Sequence, residues 1–178
     1  MEKSRMIRED ILRRLNLLDE EAALLFPTTV HYKMILLGGS ALMLQRWLSR
    51  ATYDIDAVSV PPELAALLDK YDINTKAEAY LDHAPYNYPD RVVAIDAGGQ
   101  AIDYYTLSLE DLVITKLCSI RDTDWCDAEN QTIRQNINWN LLDQLAYDAD
   151  ELRASILSDR EYAEFLTRYK NYTERWRP

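Results

Sequence analysis

Leu36-Leu37-Gly38-Gly39-Ser40-Ala41-Leu42, with Arg50-Ala51-Thr52-Tyr53-Asp54-Ile55-Asp56 behind it, sets the architecture. The apolar run Val30 to Leu37 predicts a strand that stops at a glycine pair. Ser40 to Leu48 predicts a helix with Ser40 as its N-cap. A glycine corner between strand and helix leaves backbone N–H groups and the positive helix end open to an approaching anion, the arrangement that holds phosphate. Taken alone, Gly-Gly-Ser also reads as a tight turn capped by serine.

The second half of the segment adds charge. Tyr53 to Val60 predicts a strand with Ile55, Ala57 and Ser59 on one face and Asp54, Asp56, Val58 and Val60 on the other. Residues two apart in a strand stand about 6.5–7 Å apart on one side, so Asp54 and Asp56 suit a shared metal ion. Two ions about 3.5–4 Å apart would support metal-assisted phosphoryl chemistry. An exposed polar face on an edge strand is the plain alternative. Asp103 is the best-positioned third acid, equally explained as a solvated strand residue, and Asp96 is its alternate. Arg50 and Thr52 are placed to meet an incoming phosphate or to cap the turn.

Working outward, Ile7, Ile11, Leu15, Leu18, Ala22 and Leu25 recur at helical spacing and predict a helix over Met6 to Phe26. Pro62 to Leu68 reads as a helix opened by proline, Thr75 to Leu81 as a further helix and Ala84 to Asp90 as loop. Arg91 to Asp96 and Ala101 to Leu107 read as a hairpin about Ala97-Gly98-Gly99-Gln100. Helices are predicted over Leu109 to Arg121, Asp124 or Trp125 to Ile137, Asn140 to Leu157, and Asp159 to Tyr172. With a length of 178 residues against a typical domain of about 150, the reading is one α+β domain, a mixed twisted sheet flanked by helices with a helical C-terminal extension. Its core spans about 30–130 and its C-terminal helices about 131–178. Only four glycines are present, at 38, 39, 98 and 99, so each pair marks a place where the backbone needs freedom from Cβ.

Composition narrows the function. Lys and Arg number 20 against 30 Asp and Glu, a net charge of −10, which disfavours non-specific coating of nucleic acid. Residues 1–60 are electrically balanced, so the excess acid lies in 61–178. The longest apolar stretch, Met34 to Leu44, is interrupted by glycine and far short of the roughly 20 residues of a membrane span. The N-terminal Met1-Glu2-Lys3-Ser4-Arg5 lacks the pattern of a secretory signal, and a cytoplasmic address is expected. Cys118, Cys126, His31 and His83 are too few and too scattered for a zinc or disulfide framework.

The glycine corner, the helix after it and the Arg-x-Thr-x-Asp-Ile-Asp run resemble the signature of the DNA polymerase beta-like nucleotidyltransferase superfamily, most of all its small bacterial members, including abortive-infection toxins of toxin–antitoxin systems. Pro89-Asp90-Arg91-Val92-Val93, then Leu107 to Leu117 with Lys116, then Arg121, Asp124 and Asp127, is similar to that group's downstream segment. Lysine often stands in that group where Tyr53 and Thr123 stand here. The resemblance covers about residues 35–130. It implies that Gly38, Gly39 and Ser40 bind nucleotide phosphates, with Arg50 and Thr52 beside them. Asp54 and Asp56 would hold Mg²⁺ and Lys116 would contact the triphosphate, whereas the third acid, read above from the strand pattern as Asp103, is frequently absent in this group. Arg121, Asp124 and Asp127 would support these groups or the substrate.

The implied activity moves a nucleoside monophosphate from a nucleoside triphosphate such as ATP to a hydroxyl on tRNA, protein or a small molecule, with an antitoxin as partner if the chain is a toxin. The rival expectation is an inactive nucleotide-sensing or partner-binding protein on the same fold. From the residues alone, Lys116 is a single cation in an apolar run that either finds a partner or snorkels. Arg121, Asp124 and Asp127 also suit a helix-surface ion-pair ladder. Tyr169 to Arg177 is basic and aromatic, fit for RNA or for a frayed helix end.

Overall fold

The computed structural model describes residues 5–27 and 29–178, the side chain of Ala79 excepted. The reading of Met1-Glu2-Lys3-Ser4 therefore lies outside the described residues. The chain divides into two compact units, Met1–Glu78 with Val92–Leu107, and Ala79–Arg91 with Ser108–Pro178.

The first unit contains α1 (Arg8–Leu25), β1 (Tyr32–Leu37), α2 (Gly38–Leu44), β2 (Ile55–Val58), α3 (Ala65–Leu68), β3 (Ile73–Asn74), β4 (Val93–Gly98) and β5 (Ile102–Thr106). Its strands form one mixed sheet in the order β3-β2-β1-β5-β4. β1 runs parallel to β5 and antiparallel to β2, β3 is parallel to β2, and β4 is antiparallel to β5. β1 is central, and Met34 to Leu37 are all buried, which is why it reads as a continuous apolar run rather than an alternation. On α1 the middle of the predicted stripe, Ile11, Leu15, Leu18 and Ala22, is fully buried, whereas its ends Ile7 and Leu25 are exposed.

The same helix carries Asp19, almost wholly buried, whose carboxylate accepts the N–H groups of Gln100, Ala101 and Ile102 at 3.0, 2.8 and 2.7 Å. Three amides at the β4–β5 turn are thereby satisfied without water. Gly98 (φ +69) and Gly99 (φ +98) supply the left-handed backbone of that turn. A Cβ on Gly98 would lie 2.5 Å from the Ile102 carbonyl oxygen.

Several boundaries differ from the sequence reading for identifiable reasons. α2 starts at Gly38 and stops at Leu44, so Ser40 lies inside the helix and is not its N-cap. Its end is a Schellman arrangement, with Trp47 N–H donating to Leu42 O at 2.8 Å and Arg46 N–H to Met43 O at 3.0 Å. Arg46 takes the left-handed position (φ +66), where glycine is usual. β2 ends at Val58 because Ser59 turns to φ +55. The proline-led helix is split, a 3₁₀ turn at Pro62–Leu64 preceding α3, and the predicted helix near Thr75 is a 3₁₀ segment over Lys76–His83. Tyr88–Arg91, read as loop, also forms a 3₁₀ turn. β3, only two residues long, was not visible as a strand.

The second unit is helical: α4 (Leu109–Cys118), α5 (Asp122–Ala128), α6 (Gln131–Asn136), α7 (Trp139–Tyr147), α8 (Leu152–Ser155) and α9 (Asp159–Trp176). Ser108 caps α4 by accepting the Asp111 N–H, and Ser158 caps α9 by accepting that of Glu161. The single helix expected over 124–137 is two. Asn130 stops the first and caps α6, accepting the Thr132 N–H at 2.9 Å. Phe165, Tyr169 and Tyr172 bury one face of α9, which continues as helix to Trp176, where Arg134 stacks over the ring at 3.6 Å. Arg91 forks between buried Asp111 and Glu151, at 2.9 and 2.8 Å. Although burial opposes its charge, the two carboxylates raise the basicity of this guanidinium further.

Candidate functional site

The candidate site in the first unit is the strand-to-helix corner. β1 ends at Leu37, which is in register with Asp56 on β2, so both side chains share one face of the sheet. Gly38 follows with φ +71, and a Cβ built on it would lie 2.7 Å from Asp56 Oδ2. The acid and the glycine corner are in contact because residue 38 has no side chain. Gly39 makes similar room: a Cβ there would lie 2.5 Å from Arg50 Nη2. A carboxylate and a guanidinium thus lie against consecutive glycines.

A neighbouring strand fixes the carboxylate. Asn74 Nδ2 donates to Asp56 Oδ1 at 2.9 Å, and β3 brings it there in register with Asp56. Asn74 was missed because two strand residues give no periodicity to read. Thr52 is buried and exchanges backbone hydrogen bonds with Met6, while its hydroxyl donates to the Asp54 carbonyl at 3.3 Å. Its side chain thereby anchors the backbone of Asp54, which is half-buried one residue before β2. Ser40 is 1% exposed, and its hydroxyl donates inward to the Leu37 carbonyl at 3.1 Å.

Asp103 does not join this group. In β5 it aligns with Lys33, whereas Asp56 aligns with Leu37 on the same central strand. Four residues of strand separate the two levels, about 13 Å along the sheet. Asp103 is half-exposed and faces His31 Nδ1 at 3.7 Å. Asp96 is exposed on the edge strand β4. Among the described residues no three His, Cys, Asp or Glu side chains converge as a metal-binding group. Mg²⁺ is nevertheless commonly held by one or two carboxylates together with substrate phosphates, a mode to which Asp56, in contact with the glycine corner, is suited.

In the second unit Lys116 is 5% exposed, with its ammonium against Asp124 and, at 3.0 Å, against Asp127. Arg121 Nε donates to the other oxygen of Asp124 at 2.7 Å. Burial disfavours the charge on Asp124, yet attraction and hydrogen bonding from Lys116 outweigh it and hold the carboxyl below its ordinary value of 3.8. The four downstream residues form one ion cluster that ties α5 to α4. The lysine has found its partners, and the expected ladder is mostly buried rather than solvated.

Residues 13–177 match the family described as nucleotidyltransferase of unknown function (DUF6036). The chain belongs to this family. Comparison with curated proteins and with solved structures gives no match. The DUF6036 description agrees with a nucleotidyltransferase-like chain and carries no abortive-infection subgroup, acceptor or catalytic residue. Among the described residues no helix is long and apolar enough to cross a membrane.

Proposed function

We propose that this chain is a Mg²⁺-dependent nucleotidyltransferase whose nucleoside triphosphate is held at the Gly38–Gly39 corner. The observation that carries the reading is the contact between that corner and the Asp56 carboxylate, 2.7 Å from the position of a Gly38 Cβ. Phosphate groups approaching that corner would meet the Arg50 guanidinium, which lies over Gly39. Asp54 and Asp56 would hold the metal, which when bound offsets charge on the phosphates and on the attacked α-phosphorus. Asn74 keeps Asp56 oriented toward the corner, and Thr52 keeps the Asp54 backbone in place. A hydroxyl of tRNA, protein or a small molecule is the acceptor, and growth arrest countered by an antitoxin is the corresponding role in a toxin–antitoxin pair. Lys116, Arg121, Asp124 and Asp127 are assigned to holding the second unit together.

The offset of Asp103 favours one alternative, a protein that binds the nucleotide without transferring it. Calorimetry with each NTP and Mg²⁺ on the parent, Asp54→Asn and Asp56→Asn tests the binding. Metal-dependent affinity lost in both variants supports the site, and metal-independent affinity unchanged in both refutes it. Incubation with α-labelled NTP, bulk tRNA and cell lysate tests transfer. Label that appears with the parent and vanishes with Asp56→Asn supports catalysis, and nucleotide binding without label supports the alternative.

A further inference from the structure

The first unit carries a second concavity, a cavity of about 590 Å³ between the first turn of α1 and the segment that follows α2. Its size is that of small-ligand pockets. Arg8, Arg46 and Arg50 line it together with Glu9 and the apolar Met43 and Leu48. Three arginines from separate chain positions and one acid thus line it, a local excess of basic residues in a chain whose net charge is −10. Arg8 is steadied by its Nε, which donates to the Leu44 carbonyl at 3.1 Å and uses one of five guanidinium donors.

Arg46 is the telling residue. It holds the left-handed position of the α2 Schellman turn, φ +66, where a Cβ is penalised and glycine is the ordinary solution. A strained arginine whose side chain lines an arginine cavity indicates a use for the side chain rather than for the turn. Arg50 belongs to both places, since its Nη2 lies over Gly39 while the residue lines the cavity.

We propose that this cavity binds the phosphate group of a second ligand, the phosphorylated acceptor that receives the nucleotidyl group. Naming that ligand the acceptor rests on the nucleotidyltransferase reading, whereas its binding does not. Guanidinium forks match phosphate oxygens in pairs, so the ligand is a phosphomonoester or phosphodiester. Its source is either a nucleic-acid strand or a phosphorylated small molecule.

The test measures, at low salt and on the full chain, binding of a short 5′-phosphorylated oligoribonucleotide, its unphosphorylated counterpart and a sugar phosphate. The parent, Arg46→Gly, Arg46→Glu and Asp56→Asn are compared. Arg46→Gly should weaken phosphate-dependent binding about tenfold, the loss of roughly one charged contact, while its thermal midpoint equals or exceeds the parent's. Arg46→Glu should abolish binding, and Asp56→Asn should retain it even if that variant no longer binds Mg²⁺–NTP. Binding of both phosphorylated probes indicates a small phosphate ligand, and binding of the oligonucleotide alone indicates a strand. Absence of binding by every probe, or equal affinity of parent and Arg46→Gly, overturns the proposal whatever the outcome at Asp56.

Discussion

Replacing Gly38 by alanine perturbs fold and site through two separable routes. The first is backbone: φ +71 is left-handed, which costs a residue with a Cβ about 1–2 kcal/mol. The second is contact: the new methyl would lie 2.7 Å from Asp56 Oδ2, so the carboxylate must move. That carboxylate is held by Asn74 at 2.9 Å, and displacing it forfeits a hydrogen bond worth about 1 kcal/mol. The expected total is about 2–3 kcal/mol in urea unfolding, together with loss of Mg²⁺–NTP binding. Combining Gly38→Ala with Asp56→Ala should recover the contact part and leave the backbone part, a coupling of about 1 kcal/mol. Gly39→Ala is the control. Its φ is ordinary, and its methyl meets only the end of the Arg50 side chain, at 2.5 Å, so a change within about 0.5 kcal/mol is expected. Equal stability of Gly38→Ala and Gly39→Ala, or full nucleotide affinity in Gly38→Ala, would refute this account of the corner.

Two further outcomes are expected. Asp19→Ala strips three turn amides of their acceptor and should destabilise by about 3 kcal/mol or more, with hydrogen exchange accelerated first at Gln100, Ala101 and Ile102; uniform acceleration across the sheet would contradict it. Lys116→Met removes the buried cation shared by Asp124 and Asp127, leaving Asp124 its Arg121 contact, and should cost about 3–5 kcal/mol at neutral pH. Because Asp124 titrates below its ordinary value when folded, its contribution is complete above about pH 4 and is lost as pH falls through the folded value. The parent should therefore weaken on acidification, and Lys116→Met, lacking the main attraction that lowers Asp124, should weaken less over the same range. Parallel pH profiles in urea would count against the cluster.

The sequence made the α+β class legible because the α1 stripe and the apolar run of β1 are signals repeated over several residues, and the glycine pairs mark the turns between elements. It also pointed to the contact between Gly38 and Asp56, since a strand, a helix and a strand in succession leave few ways to pair. Asp103 was out of reach for the same physical reason that Asn74 was. Both positions depend on which residues face each other across strands, and register is not encoded in the periodicity of either strand. Ser40 misled because serine beside glycine is a common cap, whereas here a glycine with positive φ opens the helix and the hydroxyl turns inward. Lys116 could be expected to need a partner, but which carboxylates would supply it depended on where α4 ends and α5 begins.

The allocation of the chain between the two units has a practical consequence for dissection. The polypeptide leaves the first unit after Glu78, returns at Val92 and departs again after Leu107, so no single cut separates the two. A fragment ending at residue 107 would retain every strand of the sheet and also Arg91, now deprived of Asp111 and Glu151. Excising the sheet as a minimal unit thus requires replacing the 79–91 excursion with a short designed linker, not merely truncating the C-terminal helices.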